Sequence, residues 1–311
     1  MPDTATDPWT TRRLLTWTTQ HFERHQIDSP RLAAEMLLAH VLQTERLKLY
    51  LDPERPASQD ERSRLRVLIE KATAHEPVDY LVGWAPFYNL QLAVDPRVLV
   101  PRPSTETLVE AVIDEVRRLA ATGSSGVEGE DRKPDPDPEI AIADIGTGSG
   151  AIALALVSSL PQARVVATDR HLSALEAAQE NADRLRLVDR LAFLEGHLLQ
   201  ALDPDQRFHV IVSNPPYIPS GDIAHLDANV RDHEPHHALD GGVDGLDLIR
   251  ELIQEAPDHL RPGGLLAIEY NGPTQTELLL KLVYSDSRWQ TPSLFKDHEG
   301  IERVLLVRLG P

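Results

Sequence analysis

Ile140-Ala141-Ile142-Ala143-Asp144-Ile145 runs directly into Gly146-Thr147-Gly148-Ser149-Gly150 and then into an apolar helical stretch, residues 151–160. A short apolar run closed by a glycine turn reads as a buried strand, and the glycines let the backbone reverse sharply into the next helix. The same unit recurs downstream. Strands are expected at residues 164–168, 191–195, 208–212 and 265–269. Helices are expected at 172–185, 246–260, where Pro262-Gly263-Gly264 breaks the pattern, and 276–283. Two more strand-like runs, 289–295 and 301–307, close the chain. Strand and helix alternating through short loops argue for an α/β fold with a doubly wound, mostly parallel sheet, whose ligands bind at the carboxyl ends of the strands. Asp144, Gly146–Gly150, Asp169, His197 and Asn214 all fall at such ends.

The glycine turn offers free N–H groups at a helix N-terminus to a polar or anionic ligand, and Gly146, Thr147, Gly148, Ser149 and Gly150 are the candidate contacts. Asp169, 19 residues after Gly150, can accept hydrogen bonds from both hydroxyls of a ribose. This pattern serves a nicotinamide dinucleotide and S-adenosylmethionine equally well. His197, just past the 191–195 strand, stands where a side chain could meet an adenine edge.

The 208–212 strand ends in Ser213-Asn214-Pro215-Pro216-Tyr217. Two consecutive prolines lack N–H donors and fix their own φ angles, so Asn214 is presented at a rigid corner. Its side-chain amide and the Pro215 carbonyl can then accept hydrogen bonds from a planar NH2 group and aim its nitrogen at an electrophile. Tyr217 would supply a flat wall. A nicotinamide enzyme leaves this corner unexplained.

Residues 1–75 carry only helical periodicity, with one-face stripes at Leu14, Leu15, Thr18 and Phe22 and at Ala33, Met36, Leu37 and Val41. Ser29-Pro30 reads as a cap followed by a proline at the first helical position. A small bundle devoted to recognition is expected. Residues 76–101 alternate with a period of two and read as a β-hairpin linker. The remaining residues, 102–311, form the catalytic half. Within it Pro101-Arg102-Pro103-Ser104-Thr105-Glu106 opens a helix that Ser104 or Thr105 can cap, with Arg102, Thr105 and Glu106 as candidate pocket-lining residues. Residues 122–139, rich in Gly, Ser, Pro and acids, are expected to form a flexible insertion.

The formal net charge of −18 weighs against binding a phosphate backbone non-specifically. The absence of cysteine excludes disulfides and thiolate chemistry. His233 and His237 are four apart, but Pro235 between them argues against one helical face, so no metal is expected. Without an apolar run of membrane-spanning length or a signal-like start, a soluble cytoplasmic protein with no membrane partner is expected.

Taken together, Asn214-Pro215-Pro216-Tyr217, Gly146–Ile152, Pro101–Glu106, Glu234-Pro235, Ala238–Gly242, Asp244-Gly245-Leu246, Gly83-Trp84, Phe87-Tyr88 and Asp297-x-x-Gly300-x-x-Arg303-Val304 resemble the PrmC/HemK family of release factor glutamine methyltransferases. The resemblance implies a Rossmann-like S-adenosylmethionine-dependent methyltransferase domain behind an N-terminal helical domain that holds the partner. It implies N5 methylation of the glutamine in the Gly-Gly-Gln motif of class I peptide chain release factors, modulating translation termination, with no sequence-specific nucleic acid partner. Asn214, Pro215 and Tyr217 would be catalytic, and Asn214, Pro215, Pro216 and Tyr217 would bind substrate. Asn-Pro-Pro-Tyr also occurs in adenine-N6 nucleic-acid methyltransferases, which are the alternative. Three features depart from the family pattern: Ser104 and His197 both stand where an acid is usual, and Glu269-Tyr270-Asn271-Gly272 stands in place of a shorter Glu-Ile-Gly-like turn.

Overall fold

Apolar strands buried on both faces dominate the larger of two compact units. In this computed structural model, residues 8–123 and 139–311 are described. The expected insertion, 122–139, falls almost entirely outside them. One unit comprises residues 85–226 and 234–311, and the other residues 8–84 and 227–233.

The larger unit is built on a seven-stranded sheet. Its strands in chain order are β3 (Ile140–Ile145), β4 (Ala163–Asp169), β5 (Leu191–Glu195), β6 (Phe208–Ser213), β7 (Leu260–Glu269), β8 (Ser293–Lys296) and β9 (Glu302–Arg308). They lie in the order β5-β4-β3-β6-β7-β9-β8. The first five pair in parallel, and β9 joins β7 and β8 antiparallel. Successive residues alternate between two cores, as strand geometry requires. Ile142, Val165, Val210, Val212 and Leu265 pack with α5 (Pro103–Gly123) and α6 (Ala151–Ser159). Ile145, Ile211, Leu266 and Ile268 pack instead against Ile249, Leu252 and Ile253 of α9 (Asp247–Glu255) and Leu279 and Val283 of α10 (Thr276–Tyr284). Helices on both faces make the sheet doubly wound.

The sequence pattern starts the fifth strand at 265, yet β7 begins at Leu260. The pairing jumps from Phe208 opposite Leu260 to Val210 opposite Leu265, so Pro262-Gly263-Gly264 is a bulge inside the strand instead of a break before it. A short hairpin, β1 (Trp84–Phe87) with β2 (Leu90–Ala93), precedes α5.

The smaller unit packs α1 (Thr11–Arg24), α2 (Pro30–Leu42), α3 (Gln59–Thr73) and α4 (Val78–Val82) around Leu14, Phe22, Leu37, Leu38 and Leu65. Residues 227–233 fold with it, and the His233 ring lies 3.3 Å from the Ala74 carbonyl. Ser29 precedes α2 but makes no capping hydrogen bond, because its backbone is left-handed, at φ 44°. Ser58 and Glu61 instead form a full capping box at α3. The Arg55 guanidinium, then the Ser58 backbone and hydroxyl, hold the Glu61 carboxyl down at about 2. A depressed carboxyl stabilises the fold above its unfolded value of 4.5 and loses that contribution as pH falls toward 2. Melting curves followed by circular dichroism across that window should therefore fall more steeply for the wild type than for Glu61→Gln.

Candidate active site

The strand register brings the site together. Ile145 pairs with Thr168 and with Ser213, so Gly146, Asp169 and Asn214 leave three adjacent strands at one level. Ser213 pairs in turn with Ile268, which sets Glu269 beside Asn214. Above these strand ends opens a cavity of about 770 Å³, inside the range of about 300–1,000 Å³ typical of ligand pockets.

One side of the cavity is the glycine turn. Gly146 and Thr147 both donate backbone hydrogen bonds to the Thr168 carbonyl at 2.8 Å, which fixes the turn to β4. Gly148 adopts φ 55°, and a Cβ built there would meet nothing within 4 Å. Its bare backbone therefore faces open cavity, as a close-approaching ligand requires. Beneath the turn, the fully buried Asp144 carboxylate accepts from the Thr147 hydroxyl at 2.6 Å and the Ala153 N–H at 3.1 Å, and burial pushes its carboxyl up to about 7. Asp169 accepts from the Gly148 N–H at 3.0 Å and from the His171 N–H at 2.9 Å. A carboxylate offers about four acceptor positions, so two remain for a vicinal diol.

His197 also lines the cavity, with Nε2 2.7 Å from Glu251 Oε2. If that nitrogen carries the proton, Nδ1 is left as an acceptor, the role an acid plays toward an exocyclic amine. His171 and His237, with ring centroids 3.6 Å apart and planes tilted by 30°, close part of the rim.

The other side is the proline corner. Asn214, Pro215 and Pro216 line the cavity. Asn214 Nδ2 donates to Thr105 Oγ1 at 3.1 Å, which leaves Oδ1 uncommitted among the described residues. Tyr217 is not among the lining residues: it packs toward the α9–α10 core, and its hydroxyl donates to Glu269 Oε1 at 3.3 Å. The expected flat wall thus lies behind the corner and supports it. The Tyr217 carbonyl accepts from Gln275 Nε2 at 2.8 Å, and the same nitrogen donates to Asp244 O at 3.0 Å while Gln275 Oε1 accepts from Asn271 N at 2.9 Å.

Arg102 and Thr105 line the cavity. Arg102 pairs with the buried Glu234, which also accepts from the Val100 N–H at 3.2 Å. Glu106 does not line it; its carboxylate turns away to accept the Tyr88 N–H at 2.7 Å and so fixes the hairpin tip. Neither Ser104 nor Thr105 caps α5, which starts at Pro103. Ser104 donates instead to Glu269 at 3.3 Å, and Thr105 is taken up by Asn214. Glu269 and Gln275 are the residues that sequence reasoning passes over. An acid closing an apolar strand, as Asp144 and Asp169 nearly do, was the signal for Glu269; Gln275 gives none.

The family described as "PrmC N-terminal domain" matches residues 13–83, and "Methyltransferase small domain" matches residues 134–229. A protein of Rhodopirellula baltica named "Release factor glutamine methyltransferase" is 40% identical over 98% of this chain and 98% of its own length. A protein of Geobacter sulfurreducens with the same name is 37% identical over 97% of this chain and 98% of its own. Among solved structures, the hMettl16 catalytic domain in complex with MAT2A 3'UTR hairpin 6 superposes with a TM-score of 0.51 at 15% identity. It covers 78% of this chain and 80% of that one, a likeness of fold alone.

Proposed function

The chain belongs to the release factor glutamine methyltransferase family, and on that premise we propose that it moves a methyl group from S-adenosylmethionine to the side-chain amide nitrogen (N5) of the glutamine in the Gly-Gly-Gln motif of peptide chain release factors. The observation that carries the proposal is a single cavity with two unlike walls: a glycine turn with Asp169 on one side, and the Asn214–Pro216 corner on the other.

The residues present fit that cofactor. Gly148 leaves room where a Cβ would intrude on a ligand, Asp169 has acceptor positions for the ribose hydroxyls, and His197 with Glu251 supplies an acceptor for the adenine amine. When bound, S-adenosylmethionine supplies a methyl carbon on a cationic sulfur; transfer forms the N–C bond, breaks the C–S bond and leaves a neutral thioether.

The protein's own contribution follows from amide chemistry. An amide nitrogen is a weak nucleophile because its lone pair is delocalised into the carbonyl. Asn214 Oδ1 and the Pro215 carbonyl accept the two N–H bonds of the carboxamide, localise that lone pair and fix its direction. Positioning and electrostatics therefore do most of the catalysis. The nitrogen sheds its extra proton to water after transfer, so no base is needed at the corner. In this scheme the helical unit, residues 8–84 with 227–233, holds the release factor, and the unit of residues 85–226 and 234–311 carries the chemistry.

Labelled S-adenosylmethionine incubated with the protein and a release factor tests the proposal. Label is expected on the wild-type factor and not on one whose Gly-Gly-Gln glutamine is replaced; label on both, or on neither, refutes it. By titration calorimetry Asp169→Ala should weaken S-adenosylmethionine binding by about tenfold or more, the worth of one or two hydrogen bonds to a charged group.

A further inference from the structure

Gln275 stands at the N-cap of α10, 3% exposed, yet its side chain makes no capping hydrogen bond to that helix and does not line the cavity. It reaches back to three backbone segments instead. Nε2 donates to the Tyr217 carbonyl at 2.8 Å and to the Asp244 carbonyl at 3.0 Å, and Oε1 accepts from the Asn271 N–H at 2.9 Å. Tyr217 closes the proline corner. Asp244 belongs to the connection whose Asp240, Gly241 and Gly242 line the cavity, and Asn271 lies two residues past the end of β7. We infer that Gln275 is a positioning residue for methyl transfer, which locks the far end of the proline corner and so fixes how Asn214 and Pro215 face the carboxamide.

All three partners are backbone groups, and that settles the orientation of the Gln275 amide. A carbonyl can only accept and an N–H can only donate, so a flipped amide would lose all three bonds at once. No ionisable group takes part. At its near end the corner is held by Ser213, which pairs with Ile145 and Ile268 in the sheet and donates from its hydroxyl to the Ile145 carbonyl at 2.7 Å. Between the two ends, Pro215 and Pro216 have fixed φ angles but no N–H to tie down, so the aim of the corner depends on both anchors. Past Tyr217, the Ile218 N–H donates to the Leu239 carbonyl at 3.0 Å and the Gly241 N–H to the Ile218 carbonyl at 2.9 Å. This pairing joins the corner to the 239–245 connection, and Gln275 pins both to the start of α10. Gly245 leaves the path open: a Cβ built on it would lie 2.4 Å from Gln275 Nε2. Without Nε2 two carbonyls lose their donor and the corner can shift, and a misplacement of about 1 Å at a reacting group costs on the order of 100-fold in rate.

The inference rests on the proposed methyl transfer, and the experiment separates the two. Gln275→Met keeps the length and removes the amide. Its kcat should fall about 10- to 100-fold while the calorimetric Kd for S-adenosylmethionine stays within about twofold, because the glycine turn and Asp169 stand on β3 and β4. Gln275→Glu keeps one acceptor but sets an oxygen against two carbonyls, and its kcat should fall at least as far. Val283→Ala, in the same core two turns further along α10, controls for simple loss of stability: it should lower the thermal midpoint and leave kcat within about twofold. Hydrogen exchange followed by mass spectrometry reads the lock without any turnover. Residues 217–220 and 239–245 should exchange faster in both Gln275 variants and not in Val283→Ala, with residues 144–152 unchanged in all three. Undiminished kcat or unchanged exchange in whichever Gln275 variant folds, or an equal fall of kcat in Val283→Ala, would overturn the inference. A wild type that transfers no methyl sinks the proposed activity instead, and the exchange still decides whether Gln275 holds the corner.

Discussion

Asn214→Ala is expected to lower kcat by about 10²–10³-fold, the loss typical when one preorganised hydrogen-bonding group is removed from a reacting centre. S-adenosylmethionine should still bind close to its wild-type affinity, since the glycine turn and Asp169 stand on β3 and β4 and Asn214 on β6. The alanine removes Oδ1 and leaves the Pro215 carbonyl alone to accept from the carboxamide. The nitrogen keeps one directing bond out of two, so the lone pair is less localised and its aim is looser. Single-turnover methylation beside calorimetric titration makes the split visible. Full turnover in the variant, or a parallel collapse of cofactor binding, would contradict the role.

The second large effect comes from Gly245. Its φ is 76°, and a Cβ placed there would run into the Tyr217 carbonyl oxygen and Gln275 Nε2, the two atoms that form the hydrogen bond behind the proline corner. Gly245→Ala therefore meets both a left-handed backbone and a collision with backbone atoms that cannot simply rotate away. The two together should cost about 2–5 kcal/mol, or roughly 5–15 °C in thermal midpoint. Turnover should fall beyond what stability explains, because the displaced carbonyl belongs to the corner itself. Gly263→Ala is the matching control: its φ is 72°, but nothing lies within 4 Å of the new methyl. It should show the backbone cost alone and keep its activity. Equal behaviour of the two variants would mean that the contact to Tyr217 does not hold the corner.

Buried parallel strands announce themselves, and so β3, β4 and β6, the glycine turn and the residues at their ends were legible. A doubly covered strand must be apolar throughout, and a turn that admits a ligand must give up its Cβ atoms. Side-chain direction was not legible. Thr105 and Glu106 are neighbours at one helix start, and only the three-dimensional placement of Tyr88 and Asn214 decides that one faces the cavity and the other the hairpin. Tyr217 looked like a wall because aromatic rings often are; in the fold its hydroxyl finds a buried carboxylate 52 residues away. The pairing of His197 with Glu251, 54 residues apart, leaves no local trace either. The bulge at Pro262–Gly264 misled in the opposite sense, since residues that normally stop an element were absorbed by a register shift within one.

That register has a practical meaning for anyone re-engineering this scaffold. Gly146, Asp169, Asn214 and Glu269 sit on four neighbouring strands whose ladder aligns their tips, and side chains alternate faces at every step along each strand. Adding or deleting one residue within any of these strands would swing a functional group to the wrong side of the sheet and strip its hydrophobic neighbours from their cores at the same moment. The connections that leave the carboxyl ends, beyond these tip residues, frame the cavity and carry no such coupling, so changes of specificity belong there, with the strand lengths left as they are.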